Sequence, residues 1–151
     1  MDKRSVVEAI GVVGVVGSLI FVGVQVRQNA AATQSATVLQ LKDSWVQLNM
    51  EKATSPELNR AEMVVRSVGW ESADSASQGM YAHYVAALYH MWSNAYFQYL
   101  NGTLSEAQWG NHLREVQDAI DDPHRGQLWR LIEYAYDDPF RSLVDSLSST
   151  R

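Results

Sequence analysis

The sequence contains no cysteine, which excludes a disulfide-stapled scaffold and zinc sites with thiolate ligands. Basic residues are also scarce, because 12 Lys and Arg stand against 17 Asp and Glu and leave a net charge of -5. Acidic chains bind nucleic acids poorly, so we expect no nucleic-acid partner. A chain of 151 residues has the length of one ordinary domain with a real core.

Enzyme motifs are absent as well. The chain contains no H-E-x-x-H, no C-x-x-C-H, no phosphate-binding glycine loop and no nucleophile elbow. The paired acids Asp121-Asp122 and Asp137-Asp138 each precede a proline, where helix capping explains them. A hydrolytic or group-transferring enzyme would need convergent polar groups that this sequence does not display. We therefore expect a protein that is not an enzyme, with no catalytic residue, no cofactor and no metal.

One long apolar run is present instead. The eighteen residues from Ala9 to Val26 include only two polar ones, Ser18 and Gln25. As a helix this run is about 27 Å long, close to the hydrocarbon thickness of a bilayer of about 30 Å. The run predicts a single membrane-spanning helix, with the lipid bilayer as its partner.

A buried core helix and a cleaved signal peptide are the alternatives for this run. Core helices of this length normally have a polar face. The apolar region of a signal peptide is shorter, usually 7–15 residues, and here Arg27 separates the run from the small residues Ala30-Ala31-Ala32. The flanking charges, Lys3 and Arg4 before the run and Arg27 after it, favour a cytoplasmic N-terminus.

Small and polar residues share one side of the predicted span. Small residues allow a second helix to approach closely, and polar residues can hydrogen-bond to it in lipid. This face predicts packing against another membrane protein or a second copy of the chain. The alternative is that the polar residues at the two ends only reach headgroup water. The face consists of Glu8, Gly11, Gly14, Ser18 and Gln25.

The rest of the chain has helical spacing throughout. All three prolines follow Ser or Asp, which is typical of a helix start, and Thr103–Glu106 has the form of a capping box after Gly102. Apolar residues recur at i, i+3, i+4 and i+7, for example at Val38, Leu41, Trp45 and Leu48. We predict an all-α fold: an N-terminal transmembrane helix (1–28) that continues into a small bundle of about five to six helices (29–151).

The predicted central helix lacks charge, since residues 75–105 contain no Asp, Glu, Lys or Arg. Such a helix is expected in the middle of a bundle, and the segment Gly69–Gly79 before it is expected to be a loop. His83 and His90, seven residues apart, could hold a metal or haem together with His112 or Glu115. Hydrogen-bonded core histidines are the plainer interpretation.

Aromatic residues exceed what one helical face can bury. Core packing is one explanation, and a surface that docks on a partner or on the membrane interface is the other. The tryptophans that would form such a surface are Trp70, Trp92, Trp109 and Trp129.

Three segments carry a family resemblance: Val24–Asn29 at the end of the apolar run, Tyr96–Glu106 leading to Trp109, and Phe140–Asp145. They resemble uncharacterised bacterial proteins with one N-terminal membrane helix and a small helical domain. The resemblance implies a single-pass protein of a bacterial inner membrane and supplies no catalytic residue. The leading hypothesis is a non-enzymatic accessory or scaffolding subunit of a membrane complex. The alternative is a membrane-tethered sensor of a small ligand or metal, with a pocket near His83 and His90.

Overall fold

The computed structural model describes residues 2–149, without the side chains of residues 3–10. This part of the chain is α-helical and has no strand, which confirms the predicted all-α fold with a long N-terminal helix followed by a bundle. Two short 3-10 helices, Trp70–Ser72 and Glu133–Ala135, lie between longer ones. The α-helices are α1 (Lys3–Thr54), α2 (Pro56–Val68), α3 (Ser75–Leu100), α4 (Glu106–Asp121), α5 (Pro123–Ile132) and α6 (Asp138–Ser149).

The chain forms two compact units, Met1–Ala36 and Thr37–Arg151. The first contains the apolar run of α1, and the second contains the end of α1 with the other five helices. The predicted division at 28/29 separates anchor from domain, and α1 passes through it without a break. Residues 27–36 contain neither proline nor glycine, so nothing in them ends α1 at the edge of the apolar run.

Helix capping places most of the helix starts where the sequence predicts them. Ser55 and Asp122 stand directly before Pro56 and Pro123. Their side chains accept backbone N–H groups from the first turn of the helix that follows. The capping box, however, is formed by Ser105 and Gln108 rather than by Thr103 and Glu106. Thr103 is unavailable because its N–H donates to Gln98 O at 2.8 Å and helps to close α3.

The segment 69–79 is mostly helical, so the predicted loop is wrong in extent. Gly69 ends α2 with φ +83°, a left-handed conformation that favours glycine. The Asp74 side chain then accepts the Ser77 N–H at 2.9 Å and starts α3 at Ser75, so Gly79 lies within the helix. The small and acidic residues in this segment are a cap and a first turn rather than a loop.

The core of the second unit forms around α3. Tyr81, Val85 and Tyr89 are fully buried there, as are Phe140 and Val144 of α6. From α1, Leu41 is buried. Trp45, which the apolar spacing assigns to a core face, is instead 41% exposed. It lines a cavity between α1 and α4 together with Leu41.

Gly126 allows α5 to pack tightly against the end of α4. A Cβ atom at this position would lie 2.6 Å from the backbone oxygen of Ile120, too close for any side chain. We expect Gly126→Ala to lower the free energy of unfolding by about 1–3 kcal/mol, because a helix must shift to relieve the clash. In the matched control Gly110→Ala, the new Cβ meets nothing within 4 Å, and we expect a gain of about 0.4–1 kcal/mol. Urea unfolding followed by circular dichroism measures both, and equal effects would contradict the packing role of Gly126.

Candidate functional site

From residue 11 to residue 36 the first unit is a helix whose side chains are all exposed. Among the described residues, α1 is the helix long and apolar enough to cross a membrane, and no residue of its most apolar 18-residue window is buried. Val13, Leu19 and Phe21 are each more than 60% exposed. This exposure is unlike that of a core helix, whose residues are mostly buried.

The small residues of the predicted packing face are open. Cβ atoms added at Gly11 or Gly14 would meet nothing within 4 Å. Ser18 Oγ donates its proton to Gly14 O at 2.8 Å, so toward a partner the Ser18 oxygen can only accept a hydrogen bond. Gln25 is exposed and can donate as well as accept. The Glu8 side chain lies outside the described residues.

Three of the four candidate docking tryptophans lie in the core. Trp92, Trp109 and Trp129 are only 3–5% exposed, and Trp70 is half-buried. Ring contacts explain their burial: the centroid of Trp129 lies 4.8 Å from that of Tyr89, and the centroid of Trp109 lies 5.1 Å from that of Tyr96. These aromatic residues therefore pack between helices, and the three buried tryptophans present no docking surface.

The two histidines of α3 lie on its surface. Both His83 and His90 are exposed, so the interpretation as hydrogen-bonded core residues is wrong. The His90 ring packs on Tyr136, with 4.8 Å between ring centroids, and this contact holds it at the edge of the helix. Placing both histidines on one face is correct, but that face is exposed.

A groove between α1 and α3 contains both histidines. It consists of two adjoining cavities of about 440 and 350 Å³, one lined by His83 and the other by His90. Leu48, Glu51 and Ala87 line both cavities and join them. We call this feature the α1–α3 groove. Sequence reasoning did not identify Glu51 or Ala87; the uncharged run 75–105 was a signal for Ala87 but was attributed to burial.

The other residues proposed as metal ligands lie elsewhere. His112 and Glu115 line a cavity of about 230 Å³ between α1 and α4, whose lining includes neither His83 nor His90. Within the described part of the chain, no three His, Asp or Glu side chains are grouped so as to hold a metal ion. The set of two α3 histidines with a ligand from α4 is therefore not assembled.

Glu115 is held by two donors. Its Oε2 accepts from Trp92 Nε1 at 3.0 Å and lies 3.2 Å from His112 Nδ1. The hydrogen bond from His112 lowers the pKa of this carboxyl below its usual value; burial raises it, and the Trp92 bond lowers it further. Because an ionised carboxylate only accepts, Nδ1 of His112 carries the proton. This arrangement anchors Trp92 to α4.

Asp122, one of the paired acids, has a structural role. Its carboxylate accepts the backbone N–H groups of His124 and Arg125 and pairs with Arg66 at 2.6 Å. Burial raises the pKa of Asp122, but the bonds from Arg66 and the backbone outweigh it and lower the pKa below its ordinary value. A carboxylate with these partners caps and ties helices and is poorly placed for acid–base chemistry.

No protein-family model, no curated protein and no solved structure matches this chain significantly. The exposed helix and the α1–α3 groove are therefore the features that bear on function.

Proposed function

We propose that the protein is a non-enzymatic, single-pass membrane protein that serves as an accessory or scaffolding subunit of a membrane complex. One observation carries the proposal: the most apolar window of α1 has no buried residue. Moving a Val, Leu, Ile or Phe side chain from water into an apolar phase is favourable by about 1.5–3 kcal/mol. Ten such side chains are exposed between Val12 and Val26, so lipid is the medium that suits this helix.

The partner in the bilayer is another membrane protein or a second copy of this chain. The open surface at Gly11 and Gly14 allows close helix approach, and Gln25 offers a hydrogen-bond donor. The flanking charges support an N-terminus in the cytoplasm of a bacterial cell and a helical domain on the other side of the inner membrane.

Affinity purification of the full-length protein from gently solubilised native membranes tests the accessory role. We expect one stoichiometric partner, and we expect Gly11→Leu with Ser18→Leu to lose it because larger side chains hold the two helices apart. The matched control Gly17→Leu with Gly23→Leu adds similar bulk away from the predicted face and should retain the partner. If wild type and both variants yield only the lone chain, the accessory role is wrong.

A membrane-tethered ligand sensor is the second candidate, and the observation that favours it is that His83 and His90 both line the α1–α3 groove. The two imidazoles and the Glu51 carboxylate line this groove and would offer polar contacts to a small ligand. An absorbance spectrum and a metal analysis of the purified protein test the haem and metal versions. A colourless, metal-free sample would eliminate both.

A further inference from the structure

The α3 helix is exposed on one side without carrying charge there. Between residues 76 and 94 every exposed residue of α3 lines the α1–α3 groove. Exposed helix faces in water normally carry charged residues, so an uncharged one indicates a face that is covered when the protein functions. These exposed residues are Ala76, Met80, His83, His90 and Asn94.

The spacing of these residues is that of a helix-packing seam. With the half-buried Ala87 they recur at alternating steps of four and three, the pattern by which one helix packs along another. The seam extends from Ala76 to Asn94, about 27 Å along the helix axis at about 1.5 Å per residue. That length matches about five turns of a docked helix.

The opposite wall of the groove adds polarity and a single charge. On α1, Ser44 and Gln47 line it beside Leu48, which is half-buried against the core. Glu51 is the only Asp, Glu, Lys or Arg among the residues that line the two cavities. An occupant therefore needs an apolar face for Leu48 and Ala87 and one positive charge for Glu51.

We propose that the α1–α3 groove binds an amphipathic helix of a partner protein, with small or aliphatic residues facing Ala87 and a Lys or Arg facing Glu51. This is the helix-in-groove mode of recognition. The inference deepens the proposed accessory function and rests on it, since it assigns the partner a docking site in the domain besides the membrane helix.

A photo-cross-linking amino acid at Ala87 tests the site in native membranes. We expect a cross-link to one partner, mapped by mass spectrometry to a helical segment that contains Lys or Arg. The same probe at Met63, which is 65% exposed on α2, is the matched control and should give no such product. A cross-link to a second copy of the chain, to lipid only, or to nothing would overturn the proposal. In that case the accessory function would still hold if affinity purification recovers a partner from the wild type and the Gly11→Leu, Ser18→Leu variant loses it.

Charge reversal tests the role of Glu51. We expect Glu51→Lys to reduce the Ala87 cross-link at least about tenfold, because a like charge would face the basic residue of the partner. Exchanging that mapped Lys or Arg for Glu should restore the product. Glu71→Lys, an exposed carboxylate outside the groove, is the control and should leave the yield unchanged. A Glu51→Lys yield equal to wild type would contradict the charge match.

Discussion

Replacing Val16 and Ile20 with arginine is expected to release the protein from the membrane. Both residues lie near the middle of the apolar run and are 49% and 64% exposed. An arginine at the centre of a membrane helix costs about 3 kcal/mol more to insert than the apolar residue it replaces. The two substitutions together cost about 6 kcal/mol, a change of more than about ten-thousandfold in the insertion equilibrium.

Alkaline carbonate extraction of membranes, followed by immunoblotting of pellet and supernatant, measures this release. The wild-type protein should stay in the pellet and the double variant should move to the supernatant. Gln28→Arg with Thr33→Arg adds the same charge beyond the apolar run and should leave the protein in the pellet. If the central double variant also pellets, the apolar run does not lie in the hydrocarbon core.

The fate of the wild-type N-terminus separates the membrane anchor from a signal peptide. An anchor retains residues 1–36, so the intact mass of the membrane-bound protein should correspond to the full 16.9 kDa chain. A cleaved product that begins near Ala32 and appears in the soluble fraction would show a signal peptide instead. The mature protein would then have no membrane anchor.

Local sequence chemistry predicts the helices well and their surroundings poorly. Ser55-Pro56 and Asp122-Pro123 start helices because capping involves only neighbouring residues. Ser105 and Thr103 are both good capping residues, and the choice between them depends on Gln98, whose carbonyl takes the Thr103 N–H. That choice involves the end of the preceding helix, so residue type alone could not predict it.

Burial could be predicted only in part. The absence of charge in residues 75–105 correctly indicates a helix that is covered by protein, since Tyr81, Val85 and Tyr89 are fully buried. The same signal wrongly implied that all sides are covered, because one face borders the α1–α3 groove. A sequence without charge shows that a face avoids water, but it does not distinguish a core from a surface that a partner covers.

Trp129 is buried in the aromatic core of the second unit. Its side chain is 3% exposed, and its ring lies 5.1 Å from Tyr136 and 5.9 Å from Phe140, measured between centroids. Trp129 lies in α5, Tyr136 directly after the 3-10 helix Glu133–Ala135, and Phe140 in α6. The rings of Trp129 and Tyr136 also contact Tyr89 of α3. Trp129 therefore joins three helices, and its loss would leave a cavity between them.

We expect Trp129→Ala to lower the free energy of unfolding by about 3–5 kcal/mol, since a buried aromatic is lost and a cavity remains. A typical domain is stable by only about 5–15 kcal/mol, so this variant should unfold at a much lower urea concentration. Tyr134→Ala is the control: Tyr134 is 80% exposed, and the change should stay within about 0.5 kcal/mol. Circular dichroism of the full-length protein in detergent gives both values. If Trp129→Ala matched Tyr134→Ala in stability yet lost the partner, Trp129 would belong to a docking surface rather than to the core, because only a core residue couples its loss to unfolding.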